Sequence, residues 1–215
     1  MLRLSAGDRV RVFNGRGAEF DAVVDAANRE GVRLEIGAPC SSAPEPRVSI
    51  TLAQAILKGD KMDDVVRDAV MIGVAAIQPI LTTRSEISMA ALSRGQRRER
   101  WERVAVSSAK QCGRAVVPAI LEPQSFATPS SLRLPSPVFI LVEPGMASGV
   151  ALSDLDATSP REATLVVGPE GGWTREEAQA ASTMGTLLTL GGRTLRADAM
   201  ALVALSALFT HWREF

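Results

Sequence analysis

The sequence predicts an α/β protein: a parallel sheet with helical crossovers, preceded by a small antiparallel β unit. Three observations predict it. Residues 163–208 read strand, glycine-rich loop, helix, and then the same series again. Residues 48–81 read strand, helix, strand. Residues 9–36 instead alternate polar and apolar side chains and carry a tight-turn signal. Strands joined by helices pair in parallel, whereas short strands joined by tight turns pair antiparallel.

In chain order, residues 9–13 alternate as a half-buried strand does, Asn14-Gly15 signals a tight turn, and residues 19–24 and 32–36 supply two further strands. Residues 37–46 hold Pro39, Pro44 and Pro46 with two serines and read as a linker. The domain boundary is placed there, giving a first domain of residues 1–46 and a second of residues 47–215. Residues 48–53 form a strand. Asp60 is placed to cap the helix that follows, whose Val65, Val66, Ala69, Val70 and Ile72 recur at near-helical spacing. Residues 75–81 are the next strand.

Residues 84–114 carry eight basic side chains, Arg94, Arg97, Arg98, Arg100 and Arg103 among them, against three acidic ones. Such a local basic face suits a polyanion, and it also fits a helix laced by the pairs Arg98–Glu102 and Glu99–Arg103. Trp101, Val104 and Ser108 lie on its opposite face. Residues 123–137 are polar and proline-rich, residues 138–142 form a buried-type strand, and residues 149–158 read as a loop. Thr174 with Glu177 three residues later is a capping box, and Gly185 is placed to end that helix. Between Ala199 and Phe209 only Ser206 is polar, so the last helix is buried on nearly all sides. It is too short to cross a bilayer, and a two-fold partner would cover its outer face.

Composition excludes several function classes. Lysine plus arginine equals aspartate plus glutamate at 24 each, so no global field announces a polyanion. No apolar span is long enough for a membrane, and the amino terminus lacks a signal-peptide core. Cys40 and Cys112 stand alone and His211 is the single histidine, which argues against a metal site and for a reducing cytoplasm.

The chemistry gathers at the two glycine loops. The first is Gly168-Pro169-Glu170-Gly171-Gly172-Trp173 and the second Gly191-Gly192-Arg193-Thr194-Leu195-Arg196. In a parallel sheet both fall at the carboxyl ends of strands, where ligands bind. Glycines there let main-chain groups approach a ligand closely. Neither loop has the Lys-Ser/Thr of a phosphate loop or the Gly-x-Gly-x-x-Gly of a dinucleotide site. Glu170 further disfavours a phosphate and favours a neutral or cationic ligand.

Gly168-Pro169-Glu170-Gly171-Gly172 before a helix, with Leu190-Gly191-x-Arg193-x-Leu195-Arg196 after the next strand, resembles the 16S rRNA uridine N3-methyltransferase family of RsmE type, within the SPOUT superfamily. The resemblance extends over residues 50–118 and, more loosely, 2–36. It implies a SPOUT-type α/β knot, a PUA-like β-barrel ahead of it that is short at its amino end, and a homodimer through the C-terminal helix. It also implies a cytoplasmic enzyme that uses S-adenosyl-L-methionine (AdoMet) to methylate N3 of U1498 in 16S rRNA of the small ribosomal subunit.

On this resemblance the cofactor would be held by Leu141, Val142 and Glu143, by Gly168, Pro169, Glu170, Gly171 and Gly172, and by Leu188, Leu190, Gly191, Leu195 and Asp198. Arg193 and Arg196 are the candidate catalytic residues, because a guanidinium would stabilise the uracil once its N3 proton leaves. Lys58, Lys61, Arg84, Ser85 and Arg114 are the candidate RNA contacts, and no metal is expected. The chain departs from the family pattern at Met71 and Lys110, where glutamates are usual, and at Ala197-Asp198-Ala199 in place of Thr-Glu-Thr. Two alternatives stay open: a ribose 2′-O-methyltransferase of the same superfamily, whose Asn-x-Gly signature is missing here, and a non-catalytic rRNA-binding assembly factor.

Overall fold

The computed structural model describes residues 4–29, 31–94, 96–126, 132–146 and 149–215, with Ser93 and Arg94 as backbone. Expectations for Met1, Leu2 and Arg3, for the Arg94 side chain and for part of the 123–137 loop lie outside the described residues. The chain divides into two compact units, Met1–Glu45 with Ala109–Val117, and Pro46–Ser108 with Pro118–Phe215.

The first unit holds a three-stranded antiparallel sheet in the order β1-β2-β3, with β1 at Arg9–Phe13, β2 at Glu19–Asn28 and β3 at Gly31–Cys40. The Asn14 side chain closes the first turn by accepting from the backbone of Arg16 at 2.8 Å and Ala18 at 3.2 Å. Gly15 and Gly17 take φ of 74° and 101°, which a Cβ would oppose. β3 runs on through Pro39 and Cys40, opposite Phe20 and Glu19, so the first four residues of the expected linker are strand. Alternation ends at Ile36, but Pro39 is tolerated on an edge strand, which explains the discrepancy. Residues 109–117 join this unit through Gly17 N–H to Ala115 O and Val117 N–H to Gly15 O, both at 3.0 Å. Sequence distance hid that contribution.

The second unit is built on a wholly parallel sheet in the order β6-β5-β4-β10-β8-β11-β9, with β7 paired to β5. Its strands are β4 Ser49–Ala55, β5 Ala76–Leu81, β6 Ala119–Ile120, β7 Gln124–Ser125, β8 Val138–Leu141, β9 Val150–Ala151, β10 Glu162–Val167 and β11 Thr186–Thr189. The helices are α1 Lys61–Ile72, α2 Met89–Arg94, α3 Arg97–Cys112, α4 Arg175–Ala181 and α5 Ala197–His211. The central strands are buried on both faces, which is why β8 and the end of β10 read as continuous apolar runs. Ile50, Leu52, Ile77, Ile140 and Leu165 are fully buried among them.

Several expectations change in detail. Asp60 precedes α1 but its side chain makes no cap; Oδ1 accepts instead from Arg100 Nη2 at 2.8 Å. At the other end Gly73, with φ of 115°, gives its N–H to Ala69 and Val70 carbonyls, a left-handed helix stop. The Arg98–Glu102 pair forms at 3.2 Å, but Glu99 and Arg103 form no ion pair among the described residues. Trp101 and Ser108 are buried and Val104 half-buried, as their spacing on α3 predicts. Residues 149–158 are not simply a loop: β9 pairs with β11, followed by a 3-10 turn at Leu152–Asp154. Two-residue strands leave no readable periodicity, which is why the sequence hid it.

The helix α4 ends at Ala181, before Gly185, whose role is close approach: a Cβ there would strike the Val138 carbonyl. The helix α5 packs on α1 and β10 and buries Ala201, Ala204, Leu205, Leu208 and Phe209. Val203 is 42% exposed, so its apolar surface is covered on one side within the chain. No helix of the described residues is long and apolar enough to cross a membrane.

Candidate active site

Because the sheet is parallel, the loops after β4, β5, β8, β10 and β11 emerge at one edge. The registers align them: Val167 of β10 lies opposite Gln54 of β4, and Leu141 of β8 opposite Leu188 of β11. A cleft of about 320 Å³ opens at this edge. Its apolar walls are Leu141, Val142, Val167, Leu195 and Met200, and its charged groups are Lys61, Glu143, Glu170, Arg196 and Asp198. An apolar slot with a few placed polar groups is the usual form of a small-molecule site.

The first glycine loop, 168–172, is tied down on every side. Trp173 is buried and donates from Nε1 to the Leu141 carbonyl at 2.7 Å. A Cβ on Gly168 would come within 2.9 Å of the Trp173 ring, so glycine lets the indole lie against the backbone. Gly172 has φ of 67°, and a Cβ there would collide with the Glu143 carboxylate. The expected capping box is present: Thr174 Oγ1 accepts from Glu177 N at 3.1 Å and Glu177 Oε2 accepts from Thr174 N at 3.0 Å. The second oxygen of Glu177 takes the N–H of Thr83 at 2.7 Å, which joins the start of α4 to the loop after β5.

Glu170 is the hub of a charge network. Its Oε1 accepts from Lys61 Nζ at 2.8 Å and from the Lys58 backbone N–H at 3.2 Å. Burial alone would push this carboxyl up, but the Lys61 hydrogen bond, the backbone amides and the Lys61 charge outweigh it and hold it below its ordinary value of 4.5. Arg84 Nη1 donates to the Gly171 carbonyl at 2.6 Å. Lys58 Nζ pairs with Glu86 at 2.9 Å, and that hydrogen bond holds its ammonium above the ordinary value.

The second glycine loop, 190–196, is held far less. Gly191 has φ of 71°, and Gly191, Gly192, Arg193 and Thr194 are exposed. Arg196 precedes α5 and donates from Nε and Nη2 to Asp198 at 3.1 and 2.6 Å. The Arg196 hydrogen bond leads the forces that hold the Asp198 carboxyl below its ordinary value.

Of the residues the sequence singles out for the cofactor, Leu141, Val142, Glu143, Gly168, Pro169, Glu170, Gly172, Leu195 and Asp198 line the cleft. Gly171, Leu188, Leu190 and Gly191 do not; Leu188 is wholly buried and accepts the Val142 N–H at 3.1 Å from the neighbouring strand. Arg196 lines the cleft, whereas Arg193 is exposed and not among its walls. The RNA candidates disperse. Lys61 lines the cleft, Lys58 and Arg84 are exposed, and Ser85 Oγ closes the turn at Thr82. Arg114 belongs to the first unit, where it is buried and its guanidinium grips Glu45 through Nε at 3.1 Å and through Nη2.

Sequence reasoning missed Pro144, Val167, Trp173, Ala197 and Met200. For Trp173 a signal existed: a large aromatic directly after two glycines needs a place to pack. Met200 lies one helical turn beyond Arg196, a spacing that puts the two on one face of α5. Among the described residues no group of three His, Cys, Asp or Glu side chains could hold a metal ion.

The arrangement is an α/β fold with a cleft of small-molecule size at the carboxyl edge of a parallel sheet, walled by residues of both glycine loops. Comparison with known proteins gives the family. The RNA methyltransferase domain family matches residues 44–209, and the RNA methyltransferase PUA domain family matches residues 2–37. The chain is 32% identical to ribosomal RNA small subunit methyltransferase E of Synechocystis sp., over 97% of this chain and 68% of that protein. The protein of the same name from Buchnera aphidicola subsp. Acyrthosiphon pisum is 25% identical over 100% and 84%. A crystal structure of ribosomal RNA small subunit methyltransferase E from Neisseria gonorrhoeae, bound to S-adenosyl methionine, superposes with a TM-score of 0.86 at 30% identity, covering 98% of this chain and 86% of that one. The chain belongs to the RNA methyltransferase family, with a PUA domain at its amino end.

Proposed function

We propose that the protein is an AdoMet-dependent methyltransferase of 16S rRNA in the small ribosomal subunit, and that it methylates N3 of a uridine, U1498. One observation carries the reading: both glycine loops contribute to a single cleft at the carboxyl edge, with apolar walls and a carboxylate excess. The relatives that bear the ribosomal RNA methyltransferase name support it over nearly the whole chain.

The residues present fit the cofactor. Leu141, Val142, Leu195 and Met200 offer apolar surface for an adenine ring, and Gly168 and Gly172 line the same cleft. Glu143, Glu170 and Asp198 outnumber Lys61 and Arg196, so the cleft favours a ligand with net positive charge. When bound, AdoMet supplies a methyl group already activated by its sulfonium, so the protein need only orient and bias. For N3 methylation the N3–H proton must leave before the N–C bond forms, and a guanidinium would hold the resulting anion. Arg196 has both its forward donors on Asp198, which leaves Arg193 as the cation at the mouth of the second loop. Arg196 then orders the entry to α5, and Lys61 and Arg84 stabilise the cofactor wall, Arg84 adding positive charge for RNA.

Two further readings belong with this one. The order β8-β11-β9, in which a late strand lies between two earlier neighbours, supports the SPOUT-type knot. The exposed apolar side of α5, centred on Val203, supports a homodimer through that helix. The action is cytoplasmic, where ribosomal subunits are. Mass spectrometry of 16S rRNA from a strain lacking the protein tests the function. The modified uridine is expected to lose its N3 methyl and regain it on complementation; a base that stays methylated contradicts the proposal. A lost ribose methyl instead would support the 2′-O alternative.

A further inference from the structure

Three of the first four residues of α3 are arginines, Arg97, Arg98 and Arg100. The start of a helix carries partial positive charge and favours acidic side chains, so this placement opposes helix stability. Two of the three are compensated. Arg98 pairs with Glu102 and Glu122 and donates to the Ile120 carbonyl at 3.0 Å. Arg100 reaches Asp63 at 2.6 Å and Asp60 at 2.8 Å. Arg97 is half-buried, yet among the described residues its guanidinium has no carboxylate and no hydrogen-bond acceptor.

Arg97 also stands where two clefts meet. One, of about 180 Å³, is walled by Lys58, Gly59, Glu86, Arg97 and Glu170; the other, of about 220 Å³, lies over Asp60, Asp63 and Arg100. Glu170 is a wall of the cofactor cleft as well, so the first of these clefts adjoins it. Of the described charged residues that line this first cleft, Lys58 is met by Glu86 and Glu170 by Lys61, and the charge left over is that of Arg97.

We propose that Arg97 binds a backbone phosphate of the substrate RNA, in the cleft beside Glu170, and so sets the register in which the target base meets the cofactor cleft. A guanidinium presents five donors in a planar fork that matches phosphate oxygens, and one free cation matches one phosphodiester charge. The proposal rests on the rRNA reading above.

The test is filter binding of small ribosomal subunits from a strain lacking the protein over a salt series, with AdoMet affinity measured in parallel by calorimetry. Arg97→Gln is expected to weaken RNA binding and to make the slope of log K against log salt shallower by about 0.7–0.9, the contribution of one phosphate contact. AdoMet affinity should match the wild type. Arg97→Lys keeps the charge but loses the fork, and is expected to keep the slope while lowering affinity. Arg100→Gln should leave the slope unchanged, since its charge is already neutralised. An unaltered slope in Arg97→Gln, an equal change in Arg100→Gln, a parallel loss of AdoMet binding, or full affinity in Arg97→Lys overturns the proposal. A wild-type protein that fails to bind the subunits overturns the functional reading instead, which separates the two failures.

Discussion

The two glycine loops are alike in composition and unlike in construction. Residues 168–172 are clamped by a buried indole, an arginine on the Gly171 carbonyl, a Lys61–Glu170 pair and a capping box shared with the neighbouring loop. Residues 190–196 are exposed at four consecutive positions and anchored chiefly where Arg196 meets Asp198. A loop clamped this way has lost its conformational freedom during folding and costs little to order when a ligand arrives. The first loop is therefore a preformed wall, and the second, more exposed, carries Arg193, which has no ion-pair partner among the described residues.

Substitutions in the first loop should damage the fold and the site together, and those in the second should damage function alone. The largest effect is expected from Trp173→Ala, which removes a buried ring packed 4.8 Å from Phe126 along with its hydrogen bond. Denaturant unfolding should show a loss of about 3–5 kcal/mol. Gly172→Ala comes next. It forces a left-handed backbone on a residue with a Cβ and displaces Glu143, so about 1–3 kcal/mol of strain should appear as lost stability and as at least a tenfold loss of AdoMet affinity by calorimetry.

Glu170→Gln tests the charge network, with a smaller effect of under about 1 kcal/mol, because the pair is a third exposed. The sign follows from the depressed carboxyl. Its stabilisation is present above the ordinary value of 4.5 and is lost as pH falls through the lower folded value. The difference in Tm between wild type and Glu170→Gln should hold at neutral pH and vanish in acid. The smallest effect on stability belongs to Arg193→Ala, within about 0.5 kcal/mol of wild type. Its rate of methyl transfer to small ribosomal subunits should nonetheless collapse, with AdoMet affinity retained. A destabilised Arg193→Ala, or a stable Trp173→Ala, would break the contrast between the loops.

Much of this was legible in the sequence because local chemistry wrote it there. Thr174 and Glu177 announce a capping box, the apolar runs announce buried parallel strands, and parallel strands place both glycine loops at one edge. What stayed hidden depended on contacts between distant residues. Nothing near Glu170 says that Lys61, more than a hundred residues earlier, will neutralise it. Nothing near Arg114 says that Glu45 will bury its guanidinium, and a basic residue in a basic stretch reads as a surface contact until that partner is seen. Asp60 has a capping residue's identity and position, yet Arg100 competes for its carboxylate and wins.

The most direct test is a crystal structure of the protein grown with AdoMet. The cofactor should lie between residues 168–172 and 190–198, against Leu141 and Val142, with the first loop unmoved and the second closed on it. Cofactor bound elsewhere, or a first loop rebuilt to admit it, would contradict the account.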